Sequence, residues 1–185
     1  FYKKNSNKEF FAKDSTYQLY YHKIGDIQSK DQLVFDTSNT KSNFSFFTKQ
    51  NKLFIVETSE DETTKNYYYS TIENESFQFK NFIKDDKSNL ELLNIINDKF
   101  YFSDEKYSWG NISYFDINNR TENTILIPQV YSHLLVGATF LENYIICKYD
   151  NMGKYYMSIH DYTGKFIRKF EAPHSMDFQI RFYDE

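Results

Sequence analysis

Glycine, proline, cysteine and tryptophan are all scarce in this 185-residue sequence, at five, two, one and one. With a single cysteine, Cys147, no internal disulfide and no cysteine-based zinc site can be built. The glycines stand at 25, 110, 137, 153 and 164, and no two are four apart. That spacing excludes the Gly-x-Ser-x-Gly turn that lifts a nucleophilic serine, the Gly-x-Gly-x-x-Gly dinucleotide loop and the phosphate-binding loop. His22, His133, His160 and His174 never stand at i, i+4, so a helical zinc pair is missing too. No catalytic residue, no metal ligand and no cofactor is therefore expected within this chain. The longest apolar run, Leu134 to Leu141, falls far short of the roughly 20 residues of a spanning helix, so no membrane partner is expected. The formal net charge of −4 is spread along the chain without a basic block, which argues against nucleic acid as a partner. Cys147, alone in an apolar strand, reads as a small buried residue in a reducing compartment. A cytoplasmic or periplasmic location is expected, the cytoplasm favoured. No signal peptide is visible and the chain opens at Phe1 without an initiator Met, as a processed terminus or an excised piece would.

What the chain has in abundance is aromatic side chains, 17 Tyr and 19 Phe, which suit pleated and half-buried surfaces. Turns must then be built largely from Asn, Asp, Lys and Ser, which bond back to the backbone. The stretch Tyr155 to Phe170 shows the unit most clearly. Tyr156, Ser158 and His160 alternate with Tyr155, Met157 and Ile159, the turn Asp161-Tyr162-Thr163-Gly164 supplies a glycine for positive φ, and a second arm returns from Phe166. With the runs Leu134 to Phe140 and Asn143 to Tyr149 upstream, the unit is about four short strands in roughly 40 residues.

The unit recurs. Polar pairs followed by apolar runs begin at Asn51, Asp98 and Asn143, 47 and 45 residues apart. Third arms begin at Gln18, Lys65, Gly110 and Lys154, with intervals of 47, 45 and 44. Four strands repeated at a period in the mid-forties is the signature of β-propeller blades, whereas a β-sandwich offers no reason for a fixed period. The expected fold is all-β, a partial β-propeller with about three complete four-stranded antiparallel blades and a partial blade at each end. The blades are expected at 38–85, 86–129 and 130–173, with 1–37 and 174–185 as the partial ones. Within them, strands are expected near Phe44 to Phe47, Lys52 to Glu57, Asn66 to Ile72 and Ser76 to Phe82. The next set is expected near Leu90 to Ile95, Lys99 to Ser103, Asn111 to Ile117 and Asn123 to Ile127. An open arc leaves strand edges unpaired, so the natural protein is expected to continue on both sides.

Acidic side chains cluster at Glu57, Glu60, Asp61 and Glu62, and again at Asp104 and Glu105. Paired carboxylates can serve acid–base chemistry or bind calcium, but between strands they are expected to be solvated loop residues. His22 and His160 are expected to bond to neighbouring strands. The sequons at Asn43, Asn74, Asn111 and Asn119 match chance at this asparagine content.

The stretch from Tyr17 to Phe35, YQLYYHKIGDIQSKDQLVF, resembles the LYYH-x-LG-x-x-QS-x-D-x-LV stretch in the propeller of prolyl oligopeptidases, a family of proline-specific serine peptidases. Asp98 to Phe102, Gly110 to Ile117 and the hairpin ending at Pro173 follow that family's order and spacing. The resemblance covers essentially the whole chain. It implies the middle of a seven-bladed propeller that covers an α/β-hydrolase domain and admits only short, proline-containing peptides to a Ser-Asp-His site lying outside this chain. The implied partners are that peptidase domain and short peptides; the other reading is a non-enzymatic, protein-binding propeller of a surface or scaffold protein. In the family, loops joining second to third strands face the peptidase domain, which places Lys3 to Thr16, Thr58 to Thr64, Asp104 to Trp109 and Asp150 to Gly153 on that face. Substrate-facing positions implied in this way are Phe1, Tyr2, Asp104, Glu105, Lys106 and Tyr107. The chain departs from the family where an Ala-Pro pair is replaced by Tyr107-Ser108 and an arginine by Asn111.

Overall fold

In a computed structural model the described residues are 17–37, 42–73, 76–88 and 90–173, and they form β-strands joined by turns and loops, with one 3₁₀ turn at Gln28–Lys30. The chain divides into two compact units, Phe1–Asn89 and Leu90–Glu185.

In the first unit, β1 (Gln18–Tyr21) and β2 (Gln32–Asp36) form an antiparallel pair. They are followed by a four-stranded antiparallel sheet of β3 (Ser42–Lys49), β4 (Lys52–Ser59), β5 (Lys65–Thr71) and β6 (Lys80–Asp86), in chain order across the sheet. Period-two alternation decides which residues lie between the two sheets. Leu19, Leu53 and Ile55 are buried there, and Phe35, Phe44, Tyr68, Phe77 and Phe79 pack on them. Phe35 meets Phe44, Tyr68 and Phe79 at ring centroid distances of 5.3, 5.5 and 5.7 Å, within the range in which aromatic pairs attract beyond their buried area.

The fourth strand of this sheet begins at Lys80, four residues later than the alternation of Ser76 to Phe82 suggests. The reason is Ser70, a buried side chain on β5 whose Oγ accepts the Gln78 amide proton at 2.8 Å. A hydroxyl thus takes a donor that the ladder would otherwise hold, and Phe77 and Phe79 remain extended and packed but unpaired until Tyr69 meets Lys80. Elsewhere the strands run longer than the apolar pattern, as in β3 and in β10 (Asn119–Ile127), whose polar residues pair with no apolar signal.

In the second unit, β7 (Glu91–Ile96), β8 (Lys99–Ser103), β9 (Ile112–Asp116) and β10 form one four-stranded antiparallel sheet. A second is formed by β11 (Leu134–Phe140), β12 (Ile145–Asn151), β13 (Lys154–His160) and β14 (Phe166–Glu171). On β13 the face carrying Tyr156, Ser158 and His160 is buried, and their partners Tyr149, Cys147 and Ile145 on β12 are buried with them. These residues join Tyr101, Ile112, Leu126 and Ile127 in the core between the two sheets. Burying such side chains fully is worth roughly 1.5–3 kcal/mol each, enough to hold the sheets face to face. Burial pushes the Cys147 thiol up to about 12, and the Tyr101 hydroxyl likewise to about 12.

The β13–β14 turn closes on that core. Asp161 Oδ1 accepts the amide protons of Thr163 and Lys165 and the Thr163 hydroxyl, at 2.8, 3.1 and 2.6 Å. Gly164 takes φ +84°, and a Cβ there would stand 2.1 Å from the Leu126 carbonyl oxygen on β10. Gly153, in the β12–β13 turn, has a similar φ of +82° but open space around it.

The two glycines therefore separate strain from collision. Gly153→Ala is expected to cost about 1 kcal/mol, the left-handed backbone penalty alone, whereas Gly164→Ala should cost about 3 kcal/mol or more because β10 and the turn must part. Chemical denaturation of the two variants checks this, and equal losses would contradict the packing of the turn on Leu126. A second expectation concerns Cys147: buried and held protonated, it should resist iodoacetamide at pH 8.5 in the native protein and react at the rate of a free thiol once unfolded. Rapid native labelling, followed by mass spectrometry, would show that this core is open.

Candidate functional site

The loops that join second to third strands are short and built from their own side chains. In the first unit, Ser59 donates its amide proton to the Thr64 carbonyl at 2.9 Å, closing the β4–β5 loop. Asp61 sits inside that loop, accepting from Ser59 Oγ at 2.6 Å and from the Thr63 amide and hydroxyl at 3.2 and 2.9 Å. Those donors hold its carboxyl below the usual carboxylate range. Glu60, Asp61 and Glu62 are exposed, as expected of loop residues.

Glu57 is different, and corrects the expectation that the whole cluster is solvated. It is 7% exposed and lies within β4. The Ser42 hydroxyl donates to one carboxylate oxygen at 2.7 Å, while the Tyr68 hydroxyl and the Asn66 amide donate to the other at 2.9 and 3.2 Å. A buried carboxylate persists only with such donors, so Glu57 is a clamp across β3, β4 and β5.

In the second unit the β8–β9 loop, residues 104–111, carries four of the sequence-derived candidates. Two successive turns shape it, Tyr107 N–H to the Asp104 carbonyl at 3.0 Å and Gly110 N–H to the Tyr107 carbonyl at 2.8 Å. Asp104 is not the solvated acid expected from sequence: it is 6% exposed, it accepts the Lys106 amide proton at 3.0 Å, and its other oxygen meets Lys106 Nζ at 2.7 Å. The hydrogen bond to Asp104 raises the Lys106 pKa. The ammonium also stands 5.1 Å from the Tyr107 ring centroid, so Asp104, Lys106 and Tyr107 form one packed group. Glu105 is exposed at the tip.

Asn111, where the resembled family has an arginine, is fully buried at the base of this loop. Its Oδ1 accepts the Asp104 amide proton at 3.1 Å and its Nδ2 donates to Ser113 Oγ at 2.6 Å. Asn111 thus reads as a hinge pin of the loop, and as a sequon it is closed to modification in the folded chain. The loop is further tied to β11, because Leu135 donates its amide proton to the Trp109 carbonyl at 2.9 Å. Gly110, at φ +78°, lies so close to Leu135 that a Cβ would approach Leu135 Cβ to 2.8 Å.

Phe1 and Tyr2 lie outside the described residues, as does the 3–16 loop. The structure therefore brings together Asp104, Lys106 and Tyr107 and leaves Glu105 projecting beside them. Sequence reasoning missed the roles of Glu57 and Asn111, and only the hydroxyl-bearing and amide residues at cross-strand spacing could have signalled them. The two histidines also differ from expectation. His22 bonds through Nδ1 to Asp31 across the base of the β1–β2 connection at 2.7 Å, and His160 bonds to Ser158 on its own strand and to the Gly164 carbonyl at its own turn, at 2.9 and 3.2 Å. The first of these explains the LYYH-to-D spacing from Tyr17 to Phe35: His22 and Asp31 staple a loop that turns at Gly25, φ +97°, and at the 3₁₀ turn Gln28–Lys30. Among the described residues no group of three or more His, Cys, Asp or Glu could hold a metal ion.

Residues 1–179 match the family described as prolyl oligopeptidase, N-terminal beta-propeller domain. No curated protein gives a significant match. Among solved structures, one from a study of two prolyl endopeptidases and the role of inter-domain dynamics in their catalysis and specificity matches at 18% identity and TM-score 0.70, covering 85% of this chain and 24% of that one. Prolyl oligopeptidase B of Galerina marginata, bound to a 35mer hydrolysis and macrocyclization substrate, matches at 13% identity and TM-score 0.72, covering 88% and 24%. Oligopeptidase B of Trypanosoma brucei with covalently bound antipain, in a closed form, matches at 13% and TM-score 0.62, covering 84% and 25%. The chain thus spans about a quarter of the length of the solved structures it matches. With four-stranded antiparallel sheets recurring along a chain that this family matches over 1–179, the protein is a β-propeller segment belonging to the prolyl oligopeptidase N-terminal propeller family.

Proposed function

We propose that this segment is part of a seven-bladed propeller covering the α/β-hydrolase domain of a serine-type prolyl oligopeptidase, and that it limits the substrates reaching that domain to short, proline-containing peptides. The family match over 1–179 carries this reading. The blades are assigned to 38–85, 86–129 and 130–173, with 1–37 and 174–185 belonging to neighbouring blades. Catalysis is assigned to residues beyond this chain, since no glycine pair here has the spacing of a nucleophile elbow. Steric covering needs sheets that do not yield, and the dense aromatic contacts inside each unit supply that rigidity.

In this reading the β8–β9 loop faces the cavity, with Glu105 as the exposed acid at its tip and the Asp104–Lys106 pair largely neutralising itself. Charge at the tip would bias which peptides enter, because an exposed charge acts over about 10 Å at 0.1 M salt. Phe1 and Tyr2 are assigned to the same face.

The full-length protein is expected to hydrolyse a chromogenic Gly-Pro substrate, and a serine-directed phosphonate should abolish that activity. In it, Glu105→Lys should raise kcat/KM for acidic peptides and lower it for basic ones, by about two- to fivefold at low salt, with the difference shrinking as salt rises. Kinetics unchanged for both peptide charges at low ionic strength would remove this loop from the substrate path.

A further inference from the structure

The outer strand β14 differs from the other fourth strands of the chain. All six of its residues are exposed, including Phe166, Ile167 and Phe170 at 54%, 46% and 38%. It is the edge of its sheet, so one row of its backbone donors and acceptors has no ladder partner among the described residues. With Lys165 just before it, the stretch Lys165-Phe-Ile-Arg-Lys-Phe-Glu171 is basic in a chain whose net charge is −4. Lys169 pairs with Glu171 at 2.7 Å, but both side chains are open to water, where such a pair contributes little and yields readily to another partner.

Beside this edge lies a cavity of about 270 Å³. A bulge in the β13–β14 register sets His160 opposite Phe166 and Ser158 opposite Lys169, which turns Phe166 and Lys169 onto the same face as Tyr156, Ser158 and His160. The opposite wall is the end of β10 and the β10–β11 connection, with Ile127, Val130 and His133. Ser158, His160, His133 and Tyr156 already spend hydrogen bonds on one another and on the turn. The Gly164 carbonyl can only accept, so His160 Nδ1 carries the proton and Nε2 accepts from the Ser158 hydroxyl; His133 Nδ1 meets the Tyr156 hydroxyl at 2.8 Å. What the cavity offers a guest is therefore apolar and aromatic surface. The Tyr149 and Tyr156 rings are stacked at 5.0 Å, His133 stands edge-on to Tyr156, and Phe166 stands edge-on to His160.

An edge with no ladder partner among the described residues, a pocket on one face of that edge and a local excess of positive charge are the three parts of strand-addition recognition: backbone pairing for affinity, a side-chain pocket for specificity, charge for choice of partner. We propose that β14 is a docking edge for an extended acidic peptide segment, which pairs with its outer side and seats one aromatic side chain in the cavity walled by Val130, Tyr156 and Phe166. The site is independent of any peptidase activity.

Fluorescence anisotropy on the full-length protein, inhibited with a phosphonate so that nothing is cleaved, tests this with the labelled peptide Glu-Val-Glu-Phe-Glu-Val-Glu. Saturable binding is expected. It should weaken about tenfold when the peptide's Phe is replaced by Ala and about tenfold in an Arg168→Glu, Lys169→Glu variant whose thermal melting is unchanged. Val130→Trp, which fills the cavity from its exposed rim, should weaken it likewise, and N-methylation of alternate peptide amides should abolish it. No saturable binding, binding indifferent to N-methylation, or binding of an oligothymidylate of equal charge in place of the peptide would each overturn the proposal.

Discussion

Each unit of this chain rests on face-to-face burial of aromatic strands. A four-stranded antiparallel sheet with apolar side chains on its inner face cannot stand alone in water, because the faces it would expose carry several kcal/mol of transfer free energy. The constraint is met by stacking one sheet on another. In the first unit Phe35 reaches from the two-stranded sheet onto Phe44, Tyr68 and Phe79 of the next. In the second, Tyr101 meets Phe140 and Tyr162 across the core at 5.1 and 6.2 Å. The turns follow from this packing, since Gly110 and Gly164 sit where a side chain would force the sheets apart.

The buried polar groups serve the same end. Glu57, Asn111 and Asp104 satisfy donors or acceptors that the ladders leave over, Ser70 takes one from the ladder, and each does so at a strand end or beside a loop. Because an unsatisfied buried group costs about 1–3 kcal/mol, these side chains fix the geometry of the loops as firmly as the apolar contacts fix the sheets. A loop held in this way keeps an exposed tip such as Glu105 in place. That is the link between a rigid propeller and any selectivity exercised at its face.

Much of the fold was legible in the sequence because alternation and a repeat in the mid-forties are local signals. The faces of β13 and the glycine at its turn followed directly from Tyr156, Ser158, His160 and Gly164. The shift of β6 was not legible, since it depends on the Ser70 hydroxyl competing with the ladder for the Gln78 amide, eight residues away. Nor was the burial of Glu57 and Asp104: in one dimension they stand in a row of acids, and only cross-strand neighbours such as Ser42, Tyr68 and Asn111 distinguish them from the solvated Glu60 and Glu62. Of the candidate site, the sequence indicated which loop to examine but not that its base is buried and clamped while its tip is exposed.

In the proposed function, the ends of the sheets bearing the β4–β5, β8–β9 and β12–β13 loops face a peptidase domain. An experimental structure of the full-length protein with a covalent serine-directed inhibitor measures this most directly. The account predicts the β8–β9 loop, with Glu105 at its tip, bordering the cavity that holds the inhibitor. A structure with that loop facing bulk solvent, and the opposite ends of the sheets turned toward the catalytic domain, would contradict it.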